Sequence, residues 1–396
     1  MEKKMNYKET EKKYIAQTYK RQNAIFVKAK GKYIWDINGK KYLDFFTGVS
    51  VCNLGHNHPL IIKAIKKQAD ALVHVSNHYY TLPQINLAKM IIEKSFKKGK
   101  LFFSNSGAEA VETAIKIARK YGSVNAQYEV IAFNSSFHGR TYGALSSTGQ
   151  EKLHQGFKPL VPGIKFAKFN DIVSVKKAFT KKTCAVLIEP IQGEGGVNIA
   201  SKKFLQELSA FCKKNKILLI FDEVQCGLGR TGKLFAYQYY GVEPDIIVLA
   251  KSIANGLPLG ITVINGKHQD LLQPGDHGST FGGSLVACAA AIETLKCLDN
   301  KKLLANVNST GAYFLSKLND LKKKYPAIIK EVRGVGLMIA VELYTDGSGI
   351  VAKALEKGLI INCTQGKIIR FLPSFHITKK DVDTALKVVD SILSEI

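Results

Sequence analysis

No stretch of the chain stays apolar for the roughly 20 consecutive residues that a membrane-spanning helix needs. The best candidate, Asp245 to Gly266, is broken by Lys251, Asn255 and several glycines. The opening residues, MEKKMNYKETEKKY, are charged and lack the apolar centre of a signal peptide. Both absences predict a cytoplasmic protein without a membrane partner. Cysteine is sparse and unpatterned: Cys52, Cys184, Cys212, Cys226, Cys288, Cys297 and Cys363 are odd in number, scattered, and contain no C-x-x-C pair. That argues against a disulfide framework and against a zinc site, and predicts reduced thiols that mostly fill the core. Ten prolines and 33 glycines without a period leave no collagen-like or low-complexity class open.

Acidic residues are also short. Lys plus Arg number 57 against 32 Asp plus Glu, a net charge of +25. A nucleic-acid-binding or scaffold protein is one reading of that excess. The basic residues, however, fall in short runs along the whole chain, such as Lys97, Lys98 and Lys100 or Lys322 to Lys324, with no interleaved aromatics. A lysine-rich surface that draws in anionic small molecules fits better than a polyanion partner.

What is present is ordinary for a globular protein: 46% apolar and 22% charged residues over 396 positions, enough for two or three domains. Short apolar strands alternate with amphipathic helical stretches. The strands are Leu101–Ser104, Val130–Phe133, Ala185–Glu189, Ile217–Asp222 and Ile246–Ala250; helices are expected at Ala108–Lys120 and Lys203–Lys214. Continuous apolar strands predict an α/β fold with a mostly parallel sheet buried on both faces. Residues 21–45 hold β-rich pieces at Ile25–Ala29 and Tyr33–Asp36 with a turn at Asn38-Gly39. From about residue 286, long helices precede strands at Arg333–Leu343 and Ile368–Leu372. The expected division is a large domain, 46–285, and a smaller α+β domain from both termini, 1–45 and 286–396.

Ligands of such sheets bind beyond the carboxyl ends of the strands. The first strand runs into Asn105-Ser106-Gly107-Ala108 and a helix start, which suits a phosphate or is a simple N-cap. No Walker loop and no strand-following G-x-G-x-x-G is present. Ile217–Phe221 ends in Asp222-Glu223-Val224-Gln225, and Ile246–Ala250 ends in Lys251. A buried lysine kept partly neutral is a nucleophile; Asp222 and Lys251 paired as a structural salt bridge is the equal alternative. Phe137-His138-Gly139-Arg140 offers an aromatic face and a carboxylate clamp, and Glu189 to Gly196 follows another strand. Jointly these make sense as a site for pyridoxal phosphate, which needs a phosphate cup, an aryl face, an acid for its ring nitrogen and a lysine. His56-x-His58 resembles a metal pair but lacks a third ligand, so no metal is expected.

The motifs SNSGAEAVETAIKIARK, FHGRT, EPIQGEGGV, FDEVQCGLGRTGKLFAYQYYGVEPD, LAKSIANGLPLG and HGSTFGG resemble those of the class III (subgroup II) aminotransferases, fold-type I pyridoxal phosphate enzymes. The likeness runs from about Thr18 to the C-terminus. It implies that Lys251 carries the cofactor and shuttles the proton, that Asp222 holds the ring nitrogen, and that Gln225 bonds the ring hydroxyl. Phe137, with His138 beside it, and Val224 would sandwich the ring. Ser106, Gly107 and Ala108 would take the phosphate, joined by Thr280 from a second subunit, which implies a homodimer with shared sites. Arg370, in IIRFLPSF, would hold the α-carboxylate of glutamate or 2-oxoglutarate, and Glu194 would release or neutralise it. Arg140 would take the carboxylate of an ω-amino substrate, with Asn77 and Tyr19 also at the substrate.

HVSNHYYTLPQ and GLIINCTQGKIIRFLPSF, with Asn362, Thr364 and Gln365, resemble the branch that acts on N2-acetylornithine, in arginine biosynthesis. Succinyl-diaminopimelate, ornithine and 4-aminobutyrate are the alternatives within the family; a mutase or decarboxylase is the alternative outside transamination. Ser252-Ile253-Ala254-Asn255-Gly256 departs from the Gly-Leu-Gly-Gly-Gly common in that branch, and GGSLVAC from GGNPLAC.

Overall fold

The computed structural model describes residues 6–396. Three short strands open the fold: β1 (Phe26–Lys30), β2 (Tyr33–Asp36) and β3 (Lys41–Asp44). The Asn38-Gly39 turn joins β2 to β3, a strand the sequence reading lacked, while β1 and β2 turn at Gly31-Lys32. Next come β4 (Gly99–Ser104), β5 (Glu129–Phe133), β6 (Ile164–Ala167), β7 (Thr183–Ile188), the two-stranded ribbon β8 (Ile191–Gln192) and β9 (Asn198–Ile199), then β10 (Leu218–Asp222), β11 (Ile246–Leu249) and β12 (Gly260–Asn265). The chain ends with β13 (Ile329–Val335), β14 (Met338–Leu343), β15 (Leu359–Ile360), β16 (Asn362–Thr364) and β17 (Ile368–Phe371).

The central sheet has the order β4-β12-β11-β10-β7-β5-β6. Only β12 runs against its neighbours; the pairs from β11 to β6 are parallel. Helices cover both faces, and strands such as β5, β7, β10 and β11 are buried throughout. This is the expected α/β architecture. Its helix Gly107–Gly122 shows how the sequence sets local structure. Ser106 accepts from the Glu109 amide and Glu109 reaches back, a capping box, while Val111, Ala114, Ile115 and Ala118 face the sheet.

One reading stands and one needs correction. The apolar stretch Asp245–Gly266 is neither a span nor a single strand. It is β11, a turn of 3₁₀ helix at Lys251–Ala254, and β12 returning antiparallel beside it. Arg333–Leu343 is a hairpin, in which Val335 pairs with Met338 across Gly336, whose φ is 58°. A Cβ at Gly336 would strike the Arg230 carbonyl, so close packing as well as the turn demands glycine there. The N-terminal strands are completed by a C-terminal one, β15, parallel to β3; β13-β14-β17-β16 form a separate antiparallel sheet. None of the described helices is long and apolar enough to cross a membrane.

Candidate active site

The polar ends of β4, β5, β7, β10 and β11 converge on one cleft of about 520 Å³. Ser106, Gly107 and Ala108 reach it from the first strand, and Phe137, His138 and Arg140 from the second. Glu189 and Glu194 follow β7; Val51, Asp222, Val224, Gln225 and Lys251 complete the wall.

At one end lies the start of the helix Gly107–Gly122. Glu109 takes the Asn105 and Ser106 amides, whereas the N–H groups of Gly107 and Ala108, in the first turn, have no intrahelical acceptor. These amides and the helix dipole favour an anion. A Cβ at Gly107 would stand 3.1 Å from Val224 and 3.5 Å from Ala250, so a larger residue there would press on the Val224 side chain.

Asp222 ends β10 almost fully buried. Its Oδ1 accepts from the Val224 amide at 3.0 Å and its Oδ2 from His138 Nδ1 at 2.7 Å. Its side-chain partner is therefore His138, not Lys251. His138 lies behind the acid, fixed by its amide on Thr148 Oγ1, and its buried Nε2 has no partner among the described residues. Nearby Glu189 accepts from the amides of Phe137, at 2.8 Å, and Gly193, at 3.2 Å. Burial pushes its carboxyl up to about 7, against the pull of His138.

Lys251 takes φ 48°, a left-handed backbone that non-glycine residues adopt at a cost. Burial pushes its amine below the ordinary 10.5, and Glu194 and Asp222 offset only part of that. Asn255 closes the same turn at φ 43°. Its Oδ1 accepts from the Leu54 amide at 2.9 Å and its Nδ2 donates to the Gly55 carbonyl at 3.1 Å. The departure noted in the sequence thus replaces a flexible glycine with a clip between the lysine turn and the 52–58 loop.

Arg370, on β17, is 1% exposed. Nε donates to Oδ1 of Asn362, its cross-strand partner, at 2.9 Å. Nη1 donates to Glu194 Oε1 at 2.7 Å, to Gln225 Oε1 at 3.0 Å and to the Gly193 carbonyl at 2.9 Å. Burial raises the Glu194 carboxyl, but Arg370 and then Lys251 outweigh it and hold it below the usual value. Gln225 Nε2 also donates to Glu194 Oε1, at 3.1 Å.

Asn77 and Tyr19 lie elsewhere, and Thr280, expected to serve a second subunit's site, is also outside this cleft. Asn77 and Thr280 line a second cavity of about 810 Å³. There Asn77 spends its amide on the carbonyls of Ser279 and Gly282, at 2.9 and 3.1 Å, and so fastens the loop that carries Thr280. Tyr19 is 74% exposed. His56 pairs with Asp44 at 2.7 Å and His58 stacks on His376.

Sequence reasoning gave no task to Arg230 or Glu223. Arg230 is wholly buried and donates to Ser50 Oγ at 3.0 Å and to the carbonyls of Leu337 and Pro373 at 3.0 and 2.6 Å. It ties the 47–53 loop to the β13–β14 turn. Glu223 caps Ala236 and Tyr237 at 2.6 and 2.7 Å. Their signal was a buried charge inside FDEVQCGLGR, the run that also holds Asp222, Val224 and Gln225.

A family model described as aminotransferase class-III matches residues 14–393. The chain belongs to the class-III aminotransferases. These enzymes depend on pyridoxal phosphate, and the cleft fits it: a glycine-lined anion cup, a buried acid, an aromatic wall and a lysine of lowered basicity. The acetylornithine aminotransferase of Methanocaldococcus jannaschii is 48% identical over 394 residues, 99% of this chain and 98% of that one. An ornithine aminotransferase from Toxoplasma gondii, solved with partial occupancy of pyridoxal phosphate at its active site, is 34% identical, with a TM-score of 0.94 over 100% of this chain and 96% of its own. The acetylornithine aminotransferase of Elizabethkingia anophelis is 32% identical, with a TM-score of 0.87 and 98% coverage of each chain. This class-III aminotransferase is therefore a transaminase of the fold-type I architecture.

Proposed function

We propose that the protein is an acetylornithine aminotransferase. It moves the δ-amino group of N2-acetylornithine to 2-oxoglutarate, giving N-acetylglutamate 5-semialdehyde and glutamate, in arginine biosynthesis in the cytoplasm. The observation that carries the alternation of two substrates is the Arg370–Glu194 pair beside Lys251. Relatives named for this activity, such as that of Caldanaerobacter subterraneus at 48% identity over 98% of the chain, support the choice of amine.

Bound pyridoxal phosphate supplies an electron sink for the carbon that exchanges its amine. The first-turn amides of Gly107 and Ala108, with Ser106, hold the phosphate. Asp222, oriented by His138, keeps a proton on the ring nitrogen. Phe137 and Val224 would flank the ring, and Gln225 would bond its hydroxyl. Lys251 would hold the cofactor, and its Nζ would carry the proton from the substrate carbon. Arg140 binds the carboxylate of the acetylated substrate, whose reacting amine is distal. Meanwhile Glu194 neutralises Arg370. When glutamate or 2-oxoglutarate enters, Glu194 turns away and Arg370 binds the carboxylate next to the reacting carbon.

The chain segments that carry Asn77 and Thr280 to the second cavity also carry exposed Tyr79, Tyr80 and Phe281. These exposed aromatic side chains support a homodimer in which Thr280 reaches the partner's phosphate cup. The pairing of β15 with β3 supports the division into 46–285, with the cofactor site, and a smaller unit from 1–45 and 286–396. The test is a substrate profile with N2-acetylornithine, succinyl-diaminopimelate, ornithine and 4-aminobutyrate, each with 2-oxoglutarate. The acetylated amine gives the highest kcat/KM; another amine ranked first overturns the assignment, and the likeness to ornithine aminotransferases makes ornithine the sharpest competitor.

A further inference from the structure

Asn362, Thr364 and Gln365 mark a branch in the sequence, and only Asn362 has so far found a task. The other two close on the main chain of the Glu194 loop. Thr364 Oγ1 donates to the Glu194 carbonyl at 2.7 Å and Gln365 Nε2 donates to the same oxygen at 2.8 Å. Gln365 is itself set by Gln150 and Lys152, at 3.0 and 3.1 Å.

The neighbouring carbonyls are taken as well. Gly193 O accepts from Arg370, Gly195 O from Asn198 at 3.1 Å, Gly196 O from Arg333 Nη2 at 2.7 Å, and Val197 O from Arg333 Nε at 3.2 Å. The glycines around Glu194 suggest a supple loop, yet they serve packing. A Cβ at Gly193 would strike Gln225, one at Gly195 the Ser135 carbonyl, and one at Gly196 Ile368. Only Gly196 has a positive φ, 114°. The Glu194 side chain, by contrast, is 28% exposed to the cleft and held only through Oε1.

We propose that Thr364, Gln365 and Arg333 clamp the main chain of residues 193–197, so that Glu194 leaves Arg370 by rotation about its own side-chain bonds while the loop stays fixed. Thr364 and Gln365 are positioning residues, and they set how well Glu194 neutralises Arg370 when the incoming amine is distal to its carboxylate. The proposal rests on the reading of Glu194 as the switch between substrates. Releasing the clamp lets Glu194 drift. Neutralisation of Arg370 then fails, and the site loses preference for N2-acetylornithine while glutamate, which needs Arg370 free, is served as before.

The experiment follows the absorbance of the bound cofactor in single half-reactions of the holoenzyme, with N2-acetylornithine alone and with glutamate alone. For Gln365→Ala and Thr364→Val the expected result is a kcat/KM for N2-acetylornithine lowered about tenfold, the scale of one or two lost hydrogen bonds, with glutamate unchanged and Thr364→Ser restoring the ratio. Gln365 is exposed, so its variant folds whatever the fate of Thr364→Val. Equal losses for both amines, or no loss in the double variant, overturn the proposal. Glu194→Gln is the control: if it leaves the ratio unchanged, the switch itself is wrong; if it shifts the ratio and the clamp variants do not, only the clamp fails. Amide hydrogen exchange over residues 193–197, read with and without the non-reacting dicarboxylate glutarate, stays constant in the unaltered enzyme. Exchange that rises with glutarate means that the loop moves, and overturns the proposal.

Discussion

Replacing Asn255 separates two contributions that the lysine turn combines. The side chain satisfies the amide of buried Leu54 and donates to Gly55, while the backbone sits at φ 43°. Asn255→Ala orphans the Leu54 N–H, at about 1–3 kcal/mol, and places a Cβ without a helpful side chain in the left-handed region, at about 1 kcal/mol or more. The sum is a loss of about 2–4 kcal/mol. Asn255→Gly loses the same two hydrogen bonds but relieves the backbone, so its loss is smaller by about 1 kcal/mol. The order alanine below glycine reverses the order in a helix, where alanine is the better residue. Denaturant unfolding of the cofactor-loaded enzyme at fixed protein concentration gives both differences. Glycine within about 0.5 kcal/mol of the unaltered protein means that the two hydrogen bonds contribute nothing; alanine as stable as glycine refutes the backbone argument.

Further outcomes follow from the same geometry. Asp222→Asn keeps the size of the His138 partner but removes the charge. It leaves the fold intact and lowers kcat by at least about a hundredfold, as loss of a positioned acid does; Asp222→Ala, which breaks a buried pair, also costs about 3–5 kcal/mol of stability. In cofactor-free protein, labelling of Lys251 by an amine-reactive reagent rises with pH around a midpoint below 10.5. Glu194→Gln removes a charge that supports the ammonium, so it moves that midpoint lower still; a shift upward contradicts the electrostatics. For His56, burial lowers the pKa but Asp44 and Cys52 outweigh it and hold the imidazolium up to about 9, above its ordinary 6.5. Its contribution is full below 6.5 and is lost as pH rises through about 9. The stability gap between the unaltered protein and Asp44→Asn therefore narrows across that window, as thermal unfolding at several pH values will show.

Strands β4, β5, β7, β10 and β11 were legible because each is a short, mostly apolar run between helical periodicities, and their ends pointed to Ser106, Asp222 and Lys251; the edge strand β6, broken by Lys165, was not. β12 was not, because Gly260–Asn265 continues the apolar character of β11 and only the turn at Lys251–Ala254 reverses it. The hairpin at Gly336 was hidden in the same way, since its two arms follow directly in sequence and the reversal takes two residues. Pairings across long separations, such as Arg230 with Pro373 or Thr364 with Glu194, depend on how the terminal segments meet the sheet. Local pattern carries nothing about that. The positions of Asn77, Thr280 and Tyr19 outside the cleft of this chain are equally a matter of tertiary placement.

The central claim is that one cleft accepts the amine of N2-acetylornithine and then gives it to 2-oxoglutarate. An absorbance spectrum of the purified holoenzyme tests it most directly. Addition of N2-acetylornithine alone converts the aldehyde form of the bound cofactor to the amine form, and 2-oxoglutarate then restores the first spectrum. A spectrum that ignores N2-acetylornithine but responds to ornithine or succinyl-diaminopimelate contradicts the assigned substrate, and one that shows no cofactor band after pyridoxal phosphate is added contradicts the role of Lys251.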